Sequence, residues 1–290
     1  MKCSLCPRRC NTERGDTSGA GLCGMPALPK LARAALHFWE EPCISGENGS
    51  GTVFFSGCSL DCVFCQNYEV SHGGFGRVVS LERLADIFKE LEAKGAHNIN
   101  LVSPTHFVPA IIRALDIYKP SVPVVYNSGG YDTPQLIRSL KGYIDIYLMD
   151  LKYLSPERAA RYSGAEDYPE YAKAALKECY IQQPVCEIKD GIMRRGLIIR
   201  HLLLPRGTGE AIRVFDWVRE NAPDAYFSIM SQYTPCGRAG VTPELSRRVT
   251  RREYEKVLSH ICESEFDRVY YQELASAGGE YVPPFDLTGV

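Results

Sequence analysis

Three cysteines lie close together in the segment GCSLDCVFCQN, residues 57–67. They are Cys58, Cys62 and Cys65, and their spacing is Cys-x3-Cys-x2-Cys. Three thiolates on one short loop suit an iron–sulfur cube whose fourth iron has no protein ligand. Structural zinc usually takes four ligands, and unligated cytosolic thiols are rarely so densely placed. The spacing therefore favours a [4Fe–4S] cluster with one iron open to a small molecule.

A second group of cysteines lies in the Gly-rich N-terminal segment, with the spacing Cys-x2-Cys-x3-Cys-x12-Cys. Its members are Cys3, Cys6, Cys10 and Cys23. Four soft ligands indicate a metal site. Zinc and a second [4Fe–4S] cluster that relays electrons fit equally well, and the spacing does not choose between them. A metal-free, mobile terminus is the alternative, and Cys43 could replace one of the four ligands.

The composition describes an ordinary soluble globular protein. The chain has 290 residues, of which 45% are hydrophobic and 23% charged, with a formal net charge of −2. This charge gives no overall attraction for nucleic acid or for an anionic membrane. The N-terminus lacks the apolar core of a signal peptide, and no apolar run approaches the ~20 residues that span a bilayer. We therefore expect a cytoplasmic protein with reduced thiols, no nucleic-acid partner and no membrane association.

These cysteines must be positioned by a scaffold, and short apolar runs alternate with helical patterns along the chain. The runs are compact and branched or aromatic, as in strands buried on both faces. The candidate strands are TVFF (52–55), NINLV (98–102), VPVVY (122–126), IDIYLM (144–149), GLIIRHLLL (196–204), AYFSIM (225–230) and a possible seventh, RVYYQ (268–272). The candidate helices are Leu81–Lys94 with Ser80 as N-cap, Phe107–Tyr118, Thr133–Leu140, Ala159–Lys177, Glu210–Asn221 and Arg251–Glu263.

Six strand–helix repeats predict an α/β fold with a parallel sheet and right-handed crossovers. Six units are too few for a closed eight-fold barrel, so the sequence predicts a partial (β/α)6 TIM-like barrel. Three regions follow from this rhythm. Residues 1–50 form a Cys-rich N-terminal cap, residues 51–275 form the barrel, and residues 276–290 form a C-terminal tail packed on it. The three-cysteine loop follows the first strand, at the end of the barrel where active sites lie.

The segment FFSGCSLDCVFCQN resembles the signature of the radical S-adenosylmethionine (SAM) superfamily, and more narrowly that of the group related to pyruvate formate-lyase activating enzyme. The similarity extends over nearly the whole chain. The other segments that carry it are YNSGGY (126–131), DIYLMDLKY (145–153), RHLLLP (200–205), MSQYTPC (230–236) and the tail PPFDLTGV. The cysteine motif is specific for the superfamily, whereas these segments mark an activating-enzyme-like branch without naming a substrate.

The resemblance implies that Cys58, Cys62 and Cys65 hold a [4Fe–4S] cluster whose fourth iron chelates the amino and carboxylate groups of SAM. A low-potential donor such as flavodoxin or ferredoxin would supply one electron. Reductive cleavage of SAM would then give a 5′-deoxyadenosyl radical that abstracts hydrogen from a protein or small-molecule substrate. The cofactor carries this chemistry, and the protein positions it.

The first candidate SAM contacts follow the second and third strands. Activating enzymes typically carry Gly-Gly-Glu after the second strand, but this chain has Ser103 and Thr105 there, which supply hydroxyls and no carboxylate. His106 either contacts a ligand or is a loop histidine. After the third strand, Asn127 and Ser128 are candidates for the SAM carboxylate or ribose, and a tight turn is the alternative reading.

The fourth and fifth strands supply the charged candidates. Asp150 and Lys152 resemble the Asp-x-Lys of activating enzymes, and they either bind SAM or form an ion pair across the barrel mouth. Arg200 and His201 face opposite sides of their strand. We favour Arg200 as the SAM contact, and expect a bound anion or a carboxylate beside it, because an unpaired charge there is costly. Glu273 is a further candidate.

Two other functions are alternatives to hydrogen abstraction by a 5′-deoxyadenosyl radical. One is cleavage of SAM at a different carbon–sulfur bond, because altered contacts to the amino group would tilt the sulfonium over the cluster. The other is a non-catalytic iron–sulfur protein that only transfers electrons. Three ligands instead of four at the core motif argue against this last reading.

Overall fold

The computed structural model describes residues 2–272 and 282–290, so Glu273 lies outside the described residues. The strands of the described part are β1 (Lys30–His37), β2 (Ser50–Phe55), β3 (Arg77–Val78), β4 (Ile99–Val102), β5 (Val124–Ser128), β6 (Ile146–Asp150), β7 (Glu187–Lys189), β8 (Ile192–Leu202), β9 (Tyr226–Met230) and β10 (Val269–Tyr271). The α-helices are α1 (Pro42–Ser45), α2 (Tyr68–Ser71), α3 (Leu81–Ala93), α4 (Val108–Ile117), α5 (Pro134–Ser139), α6 (Pro156–Ser163), α7 (Tyr168–Gln182), α8 (Thr208–Asn221) and α9 (Arg251–Glu263).

Seven strands form a continuous parallel sheet in the order β10-β9-β8-β6-β5-β4-β2. Each of them overlaps one of the seven runs that the sequence marks as strands, so the predicted α/β fold is confirmed. The sheet continues from β2 into β1 and β3 and does not close on β10. This is the open, partial TIM-like barrel that the sequence predicts.

The edge beside β2 contains a strand that the sequence does not predict. Strand β1 pairs antiparallel with β2 over Leu31↔Phe55 to His37↔Ser50, and with β3 at its other edge. The predicted boundary between cap and barrel at residue 50 falls inside this hairpin. The structure therefore places residues 30–50 with the sheet, while the four N-terminal cysteines precede it.

The helices follow the predicted pattern with one difference. Helix α3 begins where expected, with the Ser80 hydroxyl accepting from the Arg83 amide at 3.1 Å. The predicted helix Ala159–Lys177 is instead two helices, α6 and α7. Gly164 separates them in the left-handed conformation, with φ +60°, which is a common way to end a helix. The single-helix prediction is therefore wrong at this point.

The two faces of the sheet are covered differently. Helices pack on the outer face, where the main core includes Tyr126, Tyr147 and Phe215. The opposite, inner face carries a small apolar cluster closed by the short helix α1. This inner cluster consists of Cys43, Ile44, Val125, Ile146, Leu148, Met193 and Ile198. Since side chains alternate along a strand, the residues two positions after Val125, Leu148 and Ile198 also face inward, next to this inner cluster.

The C-terminal tail packs on the β1 edge of the sheet. The Ala34 amide donates to the Thr288 carbonyl at 2.8 Å, and the Leu287 amide donates to the Ala32 carbonyl at 3.1 Å. The described part of the predicted tail, residues 282–290, thus lies against the barrel. Across residues 2–272 and 282–290, no helix has the length and apolar character needed to cross a bilayer.

Candidate active site at the carboxyl edge of the sheet

The three-cysteine loop leaves β2 at the carboxyl edge of the parallel sheet. Gly57, with φ +84°, turns the chain out of the strand, and its Cα approaches Met25 so closely that a Cβ would lie 2.3 Å from the Met25 side chain. The loop backbone is then tied to the end of α6. The Asp61 amide donates to the Ser163 carbonyl at 3.0 Å, and the Val63 amide donates to the Tyr162 carbonyl at 2.9 Å. The thiols are thus presented by a fixed loop.

Each of the three sulfurs has a polar neighbour. The Leu60 amide donates to Cys58 Sγ at 3.4 Å. Cys62 Sγ lies 3.0 Å from the Ser163 hydroxyl, and Cys65 Sγ lies 3.2 Å from the Ser71 hydroxyl. Such groups stabilise a metal-bound thiolate and tune an iron–sulfur centre.

Burial raises the pKa of the Cys58 thiol to about 12 and that of the Cys62 thiol to about 11, although the nearby Lys152 ammonium acts in the opposite direction. A metal centre binds thiolates, so Cys58 and Cys62 must lose their protons when it binds. In the described residues, no group of three His, Cys, Asp or Glu side chains is spaced to hold a single metal ion. A cubane is bound differently, because each thiolate ligates a different iron. Three soft donors on one loop fit that group.

A layer of charged side chains lies on the inner face of the sheet beside the thiols. Asp150 ends β6, and its two oxygens accept from Lys152 Nζ at 2.6 Å and from Arg200 Nε at 2.9 Å. The ion pair, one of the two alternatives raised for Asp150 and Lys152, is therefore present at the barrel mouth, whereas SAM binding stays a prediction. Arg200 has the carboxylate partner that its strand position requires.

A second carboxylate reaches this layer from the far edge of the sheet. Glu40 lies between β1 and α1, and its carboxylate accepts from Arg200 Nη1 at 3.0 Å and from Asn127 Nδ2 at 3.1 Å. Asn100 Nδ2 donates to the same carboxylate at 3.0 Å. Arg200 Nη2 in turn donates to Asn127 Oδ1 at 2.7 Å. Side chains from several strands thus converge on Arg200 and Glu40.

The pKa values of this layer follow from competition between burial and charge. Burial raises the pKa of Asp150, but Lys152 and Arg200 outweigh it, so the net pKa is lowered. Burial lowers the pKa of Lys152, but the Asp150 carboxylate outweighs it, so the net pKa is raised. The charged forms are therefore stable at neutral pH. Next to them, burial raises the pKa of Glu41, despite the Arg200 charge, and Glu41 Oε2 has no hydrogen-bond partner among the described residues.

One cavity connects the thiols to the charged layer. It has a volume of about 1370 Å³, including space open to solvent, and it is lined by all three cysteines together with Asp150, Lys152 and Arg200. Ser103 and Asn127 also line it, as do Gln232 and the aromatic ring of Phe64. Because part of this space is open to solvent, a ligand can enter the cavity from outside.

The predicted hydroxyl residues divide into two kinds. Thr105 and Ser128 are buried and belong to a hydrogen-bond group around Asp132, to which Ser128 and Tyr126 donate. Tyr126 lies 3.4 Å from the Thr105 hydroxyl. Ser103, with φ +58°, lines the cavity instead. Thr105 and Ser128 do not line this cavity, but both line a smaller neighbouring one together with Cys58 and Ser103.

The two buried histidines are held by backbone carbonyls. His106 Nε2 donates to the Ser56 carbonyl at 2.7 Å, and burial lowers the pKa of its imidazole to about 4. His201 faces the outer side of β8, where Nδ1 donates to the Leu151 carbonyl at 2.7 Å. Arg200 and His201 therefore do face opposite sides, and Arg200 is the one that enters the site.

Sequence reasoning missed Glu40, Glu41 and Asp132. The pair Glu40-Glu41 lies in the segment interpreted as a separate cap, and only the pairing of β1 with β2 carries it to the barrel mouth. A local signal exists for Asp132, because it follows the motif YNSGGY directly. Two acids before a proline at residues 40–42 carry no comparable signal.

The chain is similar to a known family and to a known relative. A family described as the radical SAM superfamily matches residues 52–193. A protein of Methanocaldococcus jannaschii, itself named as uncharacterized, is 30% identical over 278 residues, which make up 92% of this chain and 76% of the relative.

Solved structures were compared as well. The crystal structure of Streptococcus suis SuiB shares the fold, with a TM-score of 0.54 and 13% identity, covering 79% of this chain and 50% of that chain. A structure of polyhistidine-tagged anSMEcpe with bound AdoMet has a TM-score of 0.49 and 9% identity, covering 72% of this chain and 57% of that chain. The chain spans about half the length of these two solved structures.

Proposed function

Because residues 52–193 match the radical SAM superfamily, we propose that Cys58, Cys62 and Cys65 bind a [4Fe–4S] cluster with which the protein cleaves SAM. When bound, the cluster and SAM together supply a 5′-deoxyadenosyl radical for hydrogen abstraction. The observation that carries the proposal is the shared cavity: three thiols and a buried charged layer open onto the same space.

The charged layer is proposed to recognise SAM. Lys152 lies close enough to the thiols and to Asp150 to interact with both, so its ammonium is available to the SAM carboxylate, while Asp150 accepts from ribose hydroxyls. Arg200 and Asn127 extend the same polar surface. A layer that is already paired needs little rearrangement to bind a ligand, and such pre-organisation lowers the cost of binding.

The hydroxyl candidates take two proposed roles. Ser103 contacts SAM directly, because it lines the cavity. Thr105 and Ser128 position the strand ends through Asp132, and they line the smaller cavity beside Cys58. Since Gly-Gly-Glu is missing after β4, the amino group of SAM is recognised by hydroxyl and backbone groups near Ser103.

The activating-enzyme-like resemblance supports a finer proposal about partners. A cavity that is open to solvent, on an unclosed sheet, suits a protein or peptide segment as the hydrogen donor, with a flavodoxin- or ferredoxin-type protein as electron donor. A small-molecule substrate is the alternative, and it would occupy the same cavity.

The test is anaerobic reconstitution with iron and sulfide, followed by reduction with dithionite, addition of SAM and product analysis by mass spectrometry. We expect 5′-deoxyadenosine from the wild-type protein and none from Cys62→Ala. Cys262→Ala is the matched control, because Cys262 is exposed on α9 and belongs to neither cysteine group. Methylthioadenosine would instead mean that a different carbon–sulfur bond is cut. A bound cluster with neither SAM binding nor cleavage would reject the enzymatic proposal in favour of electron transfer.

A further inference from the structure

The four N-terminal cysteines converge on a cavity of their own. Its volume is about 400 Å³, including space open to solvent, and Cys3, Cys6, Cys10 and Cys23 all line it. We propose that these four thiols bind a second [4Fe–4S] cluster, and that this cluster passes electrons to the one at Cys58, Cys62 and Cys65. The binding site is inferred from the cap alone, whereas the electron transfer rests on the proposed function.

Backbone amides lie beside sulfurs of the cap. The amides of Arg8 and Met25 lie near the thiols of Cys6 and Cys23, each two residues earlier in the chain. The core loop has the same two-residue offset, and there the Leu60 amide donates to Cys58. Amide–sulfur bonds of this kind favour a metal-bound thiolate.

Cys10 receives its amide from a different turn. The Leu22 amide donates to Cys10 Sγ at 3.4 Å, and a Cβ on the neighbouring Gly21 would lie 3.5 Å from that sulfur. The segment that carries Cys23 thus wraps closely around Cys10. Cys10 thus has a backbone donor at hydrogen-bond distance, and Cys6 and Cys23 each have a backbone amide nearby.

The part of the cap that carries the four cysteines has little regular structure of its own, and it is held to the barrel by side-chain contacts such as Arg8 to the Ser59 carbonyl and Arg14 to the His106 carbonyl. Residues 2–24 contain only isolated bridges, Lys2↔Glu13 and Arg14↔Gly19, and they bury just Cys6 and Pro7. Arg9 and Asn11, on either side of Cys10, adopt left-handed backbone with φ +43° and +53°. Left-handed backbone is unfavourable for residues with a side chain, more so for Arg9 than for Asn11. A segment with so little regular structure commonly owes its order to a metal centre.

Three cationic side chains also line the cavity: Arg8, Arg9 and Arg14. Arg8 and Arg14 are held there by backbone carbonyls: Arg8 Nε donates to Ser59 at 2.8 Å, and Arg14 Nε donates to Met25 at 3.0 Å. A cluster with four thiolate ligands carries net negative charge, and nearby cations offset the cost of burying it.

The location favours iron over zinc. Ser59 and His106 line the cap cavity and also line a second cavity that contains Cys58. The two cysteine groups therefore share a wall made of the residue next to Cys58 and one histidine. Zinc has no redox chemistry, whereas a cluster at this position can relay an electron.

In the proposed step, a flavodoxin- or ferredoxin-type donor loses one electron to the oxidised cap cluster. The cap cluster then reduces the core cluster by one electron and returns to its oxidised state.

The first experiment counts metal in the purified chain after anaerobic reconstitution with iron and sulfide in the presence of equimolar zinc. We expect about eight irons per chain in the wild-type protein and about four in Cys10→Ser and in Cys6→Ser/Cys23→Ser. The triple variant Cys58→Ala/Cys62→Ala/Cys65→Ala is expected to keep about four irons, all in the cap. Cys262→Ser is the matched control and keeps the wild-type count.

Three results would overturn the proposal. The first is about four irons in the wild-type protein, unchanged by the cap variants. The second is zinc that is lost from the cap variants while their iron stays constant. The third is a triple variant that contains no iron. This result would show that the cap binds no cluster, even if the cap variants themselves fail to fold.

The relay is tested by the ratio of two rates of SAM cleavage, one driven by flavodoxin and one by dithionite, a small reductant that reaches the core cluster directly. We expect the ratio to fall by about tenfold or more in Cys10→Ser. An unchanged ratio would reject the relay and leave the second cluster standing. If the wild-type protein cleaves no SAM with dithionite, the proposed function fails, while the iron count still decides the cap site.

Discussion

The guanidinium of Arg200 and the carboxylate of Glu40, 160 positions apart in the chain, meet at 3.0 Å in the cavity that the three cysteines line. The contact ties the antiparallel edge of the sheet to the middle of its parallel part. Asp150 holds the same guanidinium from the other side at 2.9 Å. The position of Arg200 is therefore fixed by two acids, only one of which belongs to the barrel strands.

Arg200→Ala should destabilise the protein strongly. It leaves the buried carboxylate of Glu40 without a cation and that of Asp150 with Lys152 alone, and breaking such a buried network costs about 3–5 kcal/mol. Urea unfolding followed by circular dichroism measures the loss. The control is Arg251→Ala, because the Arg251–Glu255 pair is exposed and should contribute less than about 1 kcal/mol. Equal losses in the two variants would contradict the network.

Gly130→Ala should be damaging for a reason specific to its surroundings. A Cβ at Gly130 would lie 2.1 Å from the Asp150 carbonyl oxygen and 2.8 Å from the Tyr168 hydroxyl, and the residue has φ +84°. Overpacking and left-handed strain together predict a loss of roughly 2–5 kcal/mol and a displaced Asp150–Lys152 pair.

Gly142→Ala is the matched control for that variant. Gly142 has φ +85°, and a Cβ there would meet nothing within 4 Å. This variant should lose only about 1 kcal/mol of stability, because a side chain in left-handed backbone is its only cost. Urea midpoints measure both losses, and SAM affinity measures the displacement. Similar midpoints for the two variants would show that the close approach to Asp150 tolerates a methyl group.

The parallel strands were predictable because each is a nearly unbroken apolar run, and such runs are typical of strands covered on both faces. Strand β1 was not, because its sequence KLARAALH has helix-forming composition. Pairing with β2 overrides that local preference. The charged ends of β6 and β8 were predictable as site residues from their position at the carboxyl edge. Glu40 was not, because its contact depends on this unexpected hairpin.

The stability of the protein should fall between about pH 6.5 and about pH 4. The pKa of His106 is lowered to about 4 by burial, with the nearby Arg14 charge acting in the same direction, while the pKa of an unfolded histidine is about 6.5. The unfolded chain therefore binds the proton first as pH falls, so the stabilisation is complete above pH 6.5 and is lost towards pH 4.

His106→Gln should reduce this pH dependence. Urea midpoints measured from pH 7 to pH 4 give the slope for each protein. The slope should become shallower without disappearing, because burial also lowers the pKa of His201. An unchanged slope would show that His106 is not buried as a neutral ring.

Ser163→Ala should change the electronic environment of the core site while leaving its ligands in place. The Ser163 hydroxyl lies 3.0 Å from Cys62 Sγ and 3.1 Å from the Tyr153 hydroxyl. A metal-bound thiolate has no proton, so Ser163 must be the donor in the loaded protein. Hydrogen bonds to cluster sulfurs stabilise the more negative, reduced state. We therefore expect a full iron content and a lower reduction potential, measured by anaerobic redox titration with detection by electron paramagnetic resonance.

Ser246→Ala, which removes an exposed hydroxyl that donates to the Pro243 carbonyl, should leave the potential unchanged. A potential that is unaffected by Ser163→Ala would mean that Cys62 does not ligate the cluster in the geometry described.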